Sequence, residues 1–444
     1  MSLEVIPPSP LVAETDVCVV GMGYVGLTLA VSLAEEGLCV IGYEVRKEVC
    51  AMLNRGQLHF REKGVSETLQ RHLGHTLTFV NELPDTLPPV VVICVGTPLH
   101  EESGEPDLRQ IEAASVAIAE RLSAGTLVIL RSTVPVGTSR NVVLPLLRRR
   151  VSEPLLAFCP ERTIQGRALE ELRTLPQIVG GLNDTSVERA RALFEKIAPQ
   201  IITVSSLEAA EIVKLICNAH TDLIYGYGNE VALIAETLGL NAYELINAAN
   251  LNYPRPDLSK PGFVGGGCLS KDPYLLIHSV RSHGYYPSMV AAARQLNEAV
   301  PHWVGERVMA TMQEEGINPA QAKILIAGFA YKGQPETDDL RGSPVTPILD
   351  LFRHRTRLLV GHDFTVSTAQ IAALGVEPTS LEDGFEGADV VLTLNNHLLY
   401  REQPVLALLA KMNRPAILFD AWGIFEKHLS VVPEHVRYLR LGHA

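Results

Sequence analysis

Cys268 is the residue of this chain best placed by its neighbours to act as a nucleophile. It directly follows three glycines, residues 265–267, and precedes Lys271 and Asp272. A glycine backbone can approach a ligand closely, a nearby ammonium can lower the pKa of a thiol, and a carboxylate can orient a neighbouring group. A buried cysteine that closes a flexible loop would have the same local sequence, so these residues alone leave both roles open.

A second set of polar residues lies in a helical pattern. Glu211, Lys214 and Asn218 are spaced by three and four residues, which places them on one face of a helix. A solvated face with an ion pair is the usual meaning of Glu and Lys at this spacing. The residues around Lys214 are apolar, however, and a buried lysine needs a partner or a chemical function.

The third motif, Gly21-x-Gly23-x-x-Gly26, follows an apolar run and opens a helical pattern. In this setting the glycines allow a tight turn, approach of a pyrophosphate and close helix–strand packing, while the helix N-terminus favours phosphate. Glu44, at the end of the next apolar run, can accept hydrogen bonds from a ribose and repel a 2′-phosphate. The motif therefore predicts NAD binding, although the basic Arg46 and Lys47 leave NADP possible.

These motifs lie in a chain that alternates strand and helix patterns. Apolar runs typical of buried parallel strands occur at residues 17–20, 39–42, 90–95, 126–130, 324–327, 358–360, 390–394 and 417–419. Between the two groups, residues 207–238 form a long helical pattern, followed by a loop at 252–267 and more helix to about 312. We predict an α/β fold with two Rossmann-like, doubly wound domains (1–206 and 313–444) joined by a central helical domain (207–312) with a long helix.

Composition excludes several classes of protein. The 444 residues include 38 Lys+Arg and 50 Asp+Glu, a net charge of −12, which argues against nucleic-acid and anionic-membrane partners. The seven cysteines are widely spaced without a C-x-x-C pair, which is typical of reduced thiols in a cytoplasmic protein. No apolar run approaches the roughly 20 residues of a membrane span. No His/Cys motif predicts a metal.

Several short motifs, taken in order, closely resemble those of the UDP-glucose/GDP-mannose dehydrogenase family of nucleotide-sugar 6-dehydrogenases. They are Gly21-Met22-Gly23-Tyr24-Val25-Gly26-Leu27, Gly96-Thr97-Pro98, Ser132-Thr133-Val134-Pro135-Val136-Gly137-Thr138, Cys159-Pro160-Glu161-Arg162, Lys214-x-x-x-Asn218, the Cys268 loop, Gly328-Phe329-Ala330-Tyr331-Lys332 and Asp338-Asp339-Leu340-Arg341-Gly342-Ser343-Pro344. The resemblance covers nearly the whole chain.

The resemblance implies a four-electron oxidation of a sugar primary alcohol to a carboxylate with two NAD, through a thiohemiacetal and a thioester on Cys268, in support of surface-polysaccharide synthesis. The catalytic residues it implies are Cys268, Lys214, Asn218, Asp272, Thr133 and Glu161. The cofactor contacts are Gly21, Gly23, Tyr24, Val25, Gly26, Glu44, Thr97, Thr133 and Lys271. The substrate contacts are Glu161, Arg162, Lys214, Asn218, Arg255, Gly265, Lys332 and Arg341.

Departures from the family pattern bear on the sugar. Gln165 replaces an acid common in UDP-glucose dehydrogenases, and Pro160-Glu161-Arg162-Thr163 looks more like the branch that acts on UDP-N-acetylhexosamines such as UDP-N-acetylmannosamine or UDP-N-acetylglucosamine. That branch often has His before the Cys, where Gly267 stands, and Ser270 replaces a common Pro. UDP-glucose and GDP-mannose therefore stay as alternative substrates.

Two other functions are compatible with parts of the chain. A single-step NAD(P)-dependent hydroxyacid dehydrogenase would share the first domain and a helical middle with a lysine, but it leaves Cys268 and the last domain unexplained. A non-catalytic sugar-nucleotide sensor would require an eroded site, whereas Cys268, Lys214, Asn218 and Asp272 are all present. The long apolar helix predicts a homodimer. Arg255 resembles the family arginine that reaches a neighbouring subunit's substrate.

Overall fold

The computed structural model describes residues 15–100, 102–426 and 432–443. The first 14 residues of the predicted first domain lie outside this range. The described residues form two compact units: the first contains residues 15–217 and 274–285, and the second contains residues 218–273 and those from 286 onward. Among the described residues, no helix combines the length and the hydropathy that crossing a bilayer requires.

The first unit is built on an eight-stranded sheet. Its strands are β1 (Val17–Val20), β2 (Val40–Tyr43), β3 (Leu77–Val80), β4 (Val90–Ile93), β5 (Leu127–Leu130), β6 (Leu155–Phe158), β7 (Gln177–Gly181) and β8 (Ile201–Thr203). Their order is β3-β2-β1-β4-β5-β6-β7-β8, and only the β6–β7 pair is antiparallel. The strand order reverses direction between β1 and β4, where doubly wound sheets bind their ligands.

Helices cover both faces of this sheet, so its central strands are buried on both sides and read as unbroken apolar runs. These helices are α1 (Tyr24–Glu35), α2 (Lys47–Leu53), α3 (Val65–His72), α4 (Arg109–Ala119), α5 (Leu144–Leu147), α6 (Ala168–Thr174) and α7 (Asp184–Phe194). A π-helical turn, Ser139–Val143, leads into α5.

The helical middle begins with α8 (Leu207–Thr237), a helix of 31 residues that runs through the boundary of the two units at residue 217. Four more helices follow: α9 (Ala242–Asn250), α10 (Gly266–Leu269), α11 (Asp272–Arg281) and α12 (Ser288–Glu314). In the second unit, apolar residues of α8, α9 and α12 join one core with the second sheet.

The second sheet has six parallel strands: β9 (Lys323–Ala327), β10 (Leu358–His362), β11 (Glu377–Pro378), β12 (Val390–Thr393), β13 (Ala416–Asp420) and β14 (Val436–Arg440). Its order, β11-β10-β9-β12-β13-β14, repeats the relative order of the first six strands. Its helices are α13 (Val345–Phe352), α14 (Thr368–Ala373), α15 (Leu381–Phe385), α16 (Leu398–Arg401) and α17 (Val405–Leu409). Two Rossmann-like sheets and a helical middle confirm the predicted fold class.

Candidate active site

The glycine turn after β1 has the geometry that a dinucleotide requires. Gly21 has φ +91°, and a Cβ at Gly26 would collide with the carbonyl oxygen of Gly21. A Cβ at Gly23, in contrast, would meet no atom within 4 Å, so this side of the turn is open. Because α1 begins at Tyr24, its free N–H groups lie beside the open face. The turn therefore fits a pyrophosphate.

Glu44 follows β2 as a buried, ionised carboxylate. It accepts hydrogen bonds from Met22 N (3.1 Å), Arg46 N (3.1 Å) and Arg46 Nε (3.0 Å). Burial raises the pKa of Glu44, but the hydrogen bonds and charge of Arg46 outweigh this effect and leave the pKa below its usual value. An ionised acceptor at the end of the second strand fits the hydroxyls of a ribose. The charge of Arg46 is already paired with this acid.

Thr97 and Thr133 meet at the carboxyl edge of the first sheet, where β4 and β5 end. Thr97 Oγ1 donates to Thr133 O at 2.5 Å, and Ser132 Oγ donates to Val95 O at 2.7 Å. The two strand–loop junctions are thus linked next to the glycine turn, since β1 pairs directly with β4. These threonines line the edge at which such sheets hold their ligands.

Glu161 follows β6 and is buried against an arginine that the sequence motifs did not identify. Arg131 Nη2 donates to Glu161 Oε2 at 3.1 Å, and Arg131 Nη1 donates to Cys159 O at 3.0 Å and to Gln177 Oε1 at 2.8 Å. Arg131 is itself buried, directly after the apolar β5. An arginine directly after an apolar strand is visible in the sequence. The residues that it bonds lie 28 to 46 positions later, so the sequence alone does not reveal the pairing.

Lys214, on α8, is 6% exposed and lies close enough to act on the charge of Glu161. Burial raises the pKa of Glu161, but Arg131, the Thr163 N–H group and Lys214 together lower it below the usual value. Glu161 is therefore an ionised carboxylate that is bonded to Arg131 and influenced by the charge of Lys214. An ammonium held in such a site can stabilise negative charge that develops on a substrate oxygen.

Glu211, one turn before Lys214, is fully buried and holds the loop that follows Thr133. Its carboxylate accepts from Gly137 N at 2.5 Å and from Ser139 N at 2.8 Å. Burial raises the pKa of Glu211 to about 7. The burial of Glu211 and Lys214 excludes the alternative of a solvated ion-paired face.

The partly buried side chains of Tyr24 and Arg162 both form hydrogen bonds to protein. Tyr24 Oη donates to Glu62 Oε2 at 2.8 Å, and Glu62 Oε2 also accepts from Gly166 N at 2.6 Å. Arg162 Nη2 donates to Pro176 O at 3.0 Å. The glycine turn is therefore tied to the loop after Glu161, while the guanidinium of Arg162 is bonded to the backbone.

In the second unit, the Cys268 loop packs directly against the loop that follows β9. A Cβ at Gly265 would collide with Gly342 O. A Cβ at Gly266 (φ +88°) would lie 2.7 Å from the Tyr331 ring, and one at Gly267 would lie 2.8 Å from Cζ of Arg341. Close contacts therefore require glycine at 265 and 266, whereas the neighbour of Gly267 is the end of the exposed Arg341 side chain, which can move. The loop presents Cys268 as an exposed thiol beside Arg341.

Asp272 is the buried centre of a polar group one residue beyond Lys271. It accepts from Asn218 Nδ2 at 2.5 Å, and Lys271 Nζ lies 2.9 Å from Asp272 Oδ1. This bond holds the side-chain amide of Asn218 in one orientation, and it therefore also determines where the amide oxygen points. Asn218 lies one helical turn after Lys214 on α8.

Three further cations predicted to contact substrate lie in the second unit. Arg341 is paired with Asp339, with Nη2 2.7 Å from Oδ2, and its side chain is 66% exposed. Lys332 follows β9, and its Nζ lies 5.3 Å from the centre of the Tyr331 ring. Arg255 is exposed and donates to Tyr253 Oη at 2.7 Å. Arg341 and Lys332 share one loop, at the strand-order reversal of the second sheet, and Arg255 lies on a separate loop.

The second sheet carries an acid equivalent in position to Glu44, but this acid is already saturated. Asp363 follows β10, and its Oδ2 accepts from Phe329 N (2.6 Å), Ala330 N (3.1 Å) and Asn395 Nδ2 (3.2 Å). Its Oδ1 accepts from the N–H groups of Thr365 and Val366. Asp363 therefore braces its glycine turn and offers no acceptor to a ribose. Only the first sheet has the pattern expected for a dinucleotide.

The described residues contain no group of three or more His, Cys, Asp or Glu side chains arranged to hold a metal ion.

Family comparisons match nearly the whole chain. Three models of the UDP-glucose/GDP-mannose dehydrogenase family match in order: the NAD binding domain at residues 15–198, the central domain at 208–299 and the UDP binding domain at 325–427. The residues that form the glycine turn and Glu161 fall in the first match. Cys268 falls in the second, and Lys332 and Arg341 fall in the third.

Similar proteins and solved structures share this domain organisation. A UDP-N-acetyl-D-mannosamine dehydrogenase of Pyrococcus horikoshii is 33% identical over 419 residues, which cover 93% of this chain and 96% of that protein. An NDP-N-acetyl-D-galactosaminuronic acid dehydrogenase of Ralstonia nicotianae is 31% identical over 401 residues, covering 87% and 92%. The solved structure of the UDP-D-ManNAc dehydrogenase from Pyrococcus horikoshii superposes with a TM-score of 0.87 at 30% identity, covering 96% of this chain and 99% of that one.

The predicted family, enzyme class and cofactor are thereby confirmed. Most of the first sheet lies in the part of the chain that matches an NAD binding domain, and most of the second sheet lies in the part that matches a UDP binding domain. The chain belongs to the UDP-glucose/GDP-mannose dehydrogenase family and is an NAD-dependent nucleotide-sugar dehydrogenase.

Proposed function

We propose that the protein oxidises the primary alcohol of a UDP-N-acetylhexosamine, with UDP-N-acetylmannosamine as the first candidate, to the uronic acid. One observation supports the four-electron reaction: an exposed thiol, Cys268, lies on a glycine loop that packs against Tyr331 and Arg341, two residues of the segment that matches a UDP binding domain. The N-acetylated amino sugars named for the similar proteins support the substrate class. UDP-glucose and GDP-mannose are the alternatives.

The reaction needs a nucleophile because an aldehyde must be retained for a second oxidation. NAD, held by the glycine turn and Glu44, would supply the hydride acceptor for each oxidation. The alcohol, two NAD and one water would then yield the carboxylate, two NADH and three protons. The Cys268 thiolate adds to the aldehyde carbon, and the carbonyl electron pair moves to oxygen and takes up a proton. Oxidation of this thiohemiacetal leaves a thioester on Cys268, which water cleaves to the acid and the free thiol.

Lys214 and Asn218 would stabilise the oxygen anions of these steps. Their positions one turn apart on α8, the burial of Lys214 and the fixed amide of Asn218 support that function. Asp272 would hold Asn218 and Lys271. Glu161 is an ionised carboxylate, and together with Thr133 it would orient the water that cleaves the thioester.

The remaining ligand contacts divide between the two sheets. For NAD we propose the turn residues Gly21, Gly23, Tyr24, Val25 and Gly26, together with Glu44, Thr97, Thr133 and Lys271. For the UDP-sugar we propose Glu161, Arg162, Lys214, Asn218, Arg255, Gly265, Lys332 and Arg341. Tyr24 and Arg162 would act through backbone atoms or by holding their loops, since both side chains bond to protein. Arg341 suits a diphosphate because a guanidinium can form paired hydrogen bonds to it.

An assay of the purified protein across UDP- and GDP-sugars tests this proposal. We expect two NADH per sugar and a uronic acid product by mass spectrometry, with highest kcat/KM for a UDP-N-acetylhexosamine. UDP-glucose as the best substrate would refute the sugar assignment alone. One NADH per sugar, with a stable aldehyde or ketone, would refute the four-electron reaction and favour the single-step dehydrogenase. A nucleotide-activated uronic acid is a glycosyl donor, and loss of this sugar from surface polysaccharide after gene deletion would test that use of the product.

We also propose a homodimer in which α8 and α9 contact a second copy, and three domains at 1–206, 207–312 and 313–444. Tyr227 and Ile234 of α8 are each 53% exposed, and Leu245 of α9 is 40% exposed, which is unusual for a helix pair of a monomer. Light scattering should give twice the mass of the 444-residue chain. Ile234→Glu should shift that mass toward the monomer, whereas Val45→Glu, at an exposed position of the first unit, should not. A monomeric wild-type protein at working concentration would refute the dimer.

A further inference from the structure

A buried arginine of α12 holds the backbone on both sides of Cys268. Arg294 is 1% exposed, and its Nη1 donates to Leu269 O at 2.8 Å while its Nη2 donates to Val264 O at 3.3 Å. Leu269 directly follows Cys268, and Val264 directly precedes the three glycines. One planar guanidinium therefore spans the two ends of the loop that carries the thiol.

Arg294 is in turn fixed by an acid on α8. Its Nη1 also donates to Asp222 Oδ1 at 2.7 Å, and both side chains are buried. Asn297, one turn after Arg294, donates from Nδ2 to the backbone O of Asp222 at 2.9 Å and to its Oδ1 at 3.0 Å. Asp222 therefore bonds the guanidinium directly and is itself held by Asn297, while Glu298 Oε1 lies 3.4 Å from Arg294 Nε.

The same network reaches a third point of the loop backbone. Asn229 Nδ2 donates to Asn297 Oδ1 at 2.9 Å, and Gly262 N donates to Asn229 Oδ1 at 2.9 Å. Residues 262, 264 and 269 are therefore connected by one continuous chain of hydrogen bonds through Asn229, Asn297, Asp222 and Arg294. All of these residues belong to the second compact unit.

Stability alone is a weak explanation for this arrangement. A buried ion pair must offset the loss of hydration of both charges, and apolar residues of similar volume often stabilise a fold as well or better. What a network of directed hydrogen bonds supplies, and apolar packing does not, is a defined position for the atoms that it holds. The held atoms flank a loop of three glycines, whose backbone has more conformational freedom than that of any other residue.

We propose that Arg294 is a positioning residue for Cys268: with Asp222, Asn229 and Asn297 it holds the glycine loop so that the thiolate reaches the aldehyde carbon. This inference rests on the proposed function of Cys268 as the nucleophile. It assigns no contact between Arg294 and substrate. Loss of the network should therefore impair the steps that use the thiol and leave NAD binding unchanged.

Arg294→Lys is the informative variant. An ammonium can still pair with Asp222 but cannot reach two carbonyl oxygens in the fork geometry of a guanidinium. Displacement of a reacting group by about 1 Å can lower a rate by roughly 100-fold, so we expect acid formation to fall about 10- to 100-fold. More of the intermediate aldehyde should escape, and KM for NAD should stay within twofold of wild type.

Arg307→Lys is the matched control. Arg307 lies on the same helix, its Nη1 lies 2.8 Å from Glu236 Oε1 of α8, and it donates to the backbone oxygens of Arg440 and His443. It therefore has the same chemistry between the same two helices but holds the end of the second sheet rather than the Cys268 loop. A general loss of packing should affect both variants alike.

The experiment has two readouts. The first is the rate at which iodoacetamide alkylates Cys268 in the substrate-free protein, followed by mass spectrometry of its peptide. The second is the amount of aldehyde captured by a hydrazine reagent per NADH formed during turnover. We expect Arg294→Lys to change both by at least threefold, and Arg307→Lys to match wild type. Asn229→Ala removes the bonds to Gly262 and to Asn297 but keeps Arg294 and its two bonds to the loop backbone. It should change both readouts in the same direction by less, and it serves if Arg294→Lys does not fold.

The outcomes separate this inference from the proposed function. If Arg294→Lys and Asn229→Ala behave as Arg307→Lys does in both readouts, Arg294 has no positioning function, even where wild type forms two NADH per sugar. If wild type oxidises no nucleotide sugar by four electrons, the proposed function is refuted. The alkylation rates would then still decide whether Arg294 positions the thiol.

Discussion

Cys268→Ser is expected to stop acid formation while leaving the first oxidation measurable. A serine hydroxyl is not ionised near neutral pH and is a poor nucleophile without a dedicated base, so the aldehyde is not captured and the second oxidation has no covalent substrate. We expect uronic acid formation to fall by roughly 10³-fold or more, in line with the loss of other catalytic nucleophiles. NADH should fall from two per sugar to at most one. Absorbance of NADH and mass spectrometry of the sugar product give the two measurements.

Cys217→Ser is the control for this variant, because Cys217 is also an exposed thiol and lies on α8. It should retain wild-type stoichiometry and rate. Two NADH per sugar at a normal rate from Cys268→Ser would contradict covalent catalysis. KM for NAD should be the same in wild type, Cys268→Ser and Cys217→Ser, because neither cysteine is among the proposed contacts to NAD.

Lys214→Met should lower kcat by about 10²- to 10³-fold, the usual loss when one donor to a developing oxygen anion is removed. Methionine keeps the length and apolar stem of the side chain, so the packing around α8 is retained. A second effect follows from Glu161. Lys214 is one of the cations that lower its pKa, so the pKa of Glu161 should rise in the variant and the acid limb of the pH–rate profile should move to higher pH.

Lys196→Met, at an exposed position of the same unit, should leave both kcat and the pH profile unchanged. Rates measured from pH 5 to pH 9 with saturating substrate provide the comparison. A Lys214→Met enzyme with kcat within threefold of wild type would show that Lys214 is not the oxygen-anion donor. An unmoved acid limb would show that Glu161 does not need to be ionised for turnover.

The strands that are buried on both faces were predictable from the sequence, because burial requires nearly every residue in them to be apolar. Residues 17–20 and 390–394 are unbroken apolar runs because both faces of the strand are covered, and they correspond to β1 and β12. Ends of elements were less accurate, since the apolar run predicted as a strand at 90–95 extends two residues beyond β4, which ends at Ile93. The antiparallel β7 and the two-residue β11 have no such periodic pattern, and their pairing depends on distant strands.

The candidate site was predictable where chemistry is local. A glycine turn, the acid after β2 and the Cys268 loop are each visible in a few consecutive residues. Arg131 and Arg294 were not, because a buried arginine is recognised by its partners, and Glu161 and Asp222 lie 30 and 72 residues away in sequence. The sequence singled out the three glycines as a backbone that a ligand can approach closely. The structure adds a reason that the sequence could not supply, their contact with Tyr331, Arg341 and Gly342.

Because α8 is continuous, the number of residues between Lys214 and Asn218 matters more for their relative positions than which residues they are. Lys214 and Asn218 lie on the same unbroken helix. Each residue of an α-helix turns by about 100° and advances about 1.5 Å. One amino acid inserted or deleted between these positions would rotate the Asn218 amide about the helix axis by about 100° relative to the Lys214 ammonium, even if every other side chain were kept. Residues 215–217 should therefore tolerate conservative replacement far better than any change in their number.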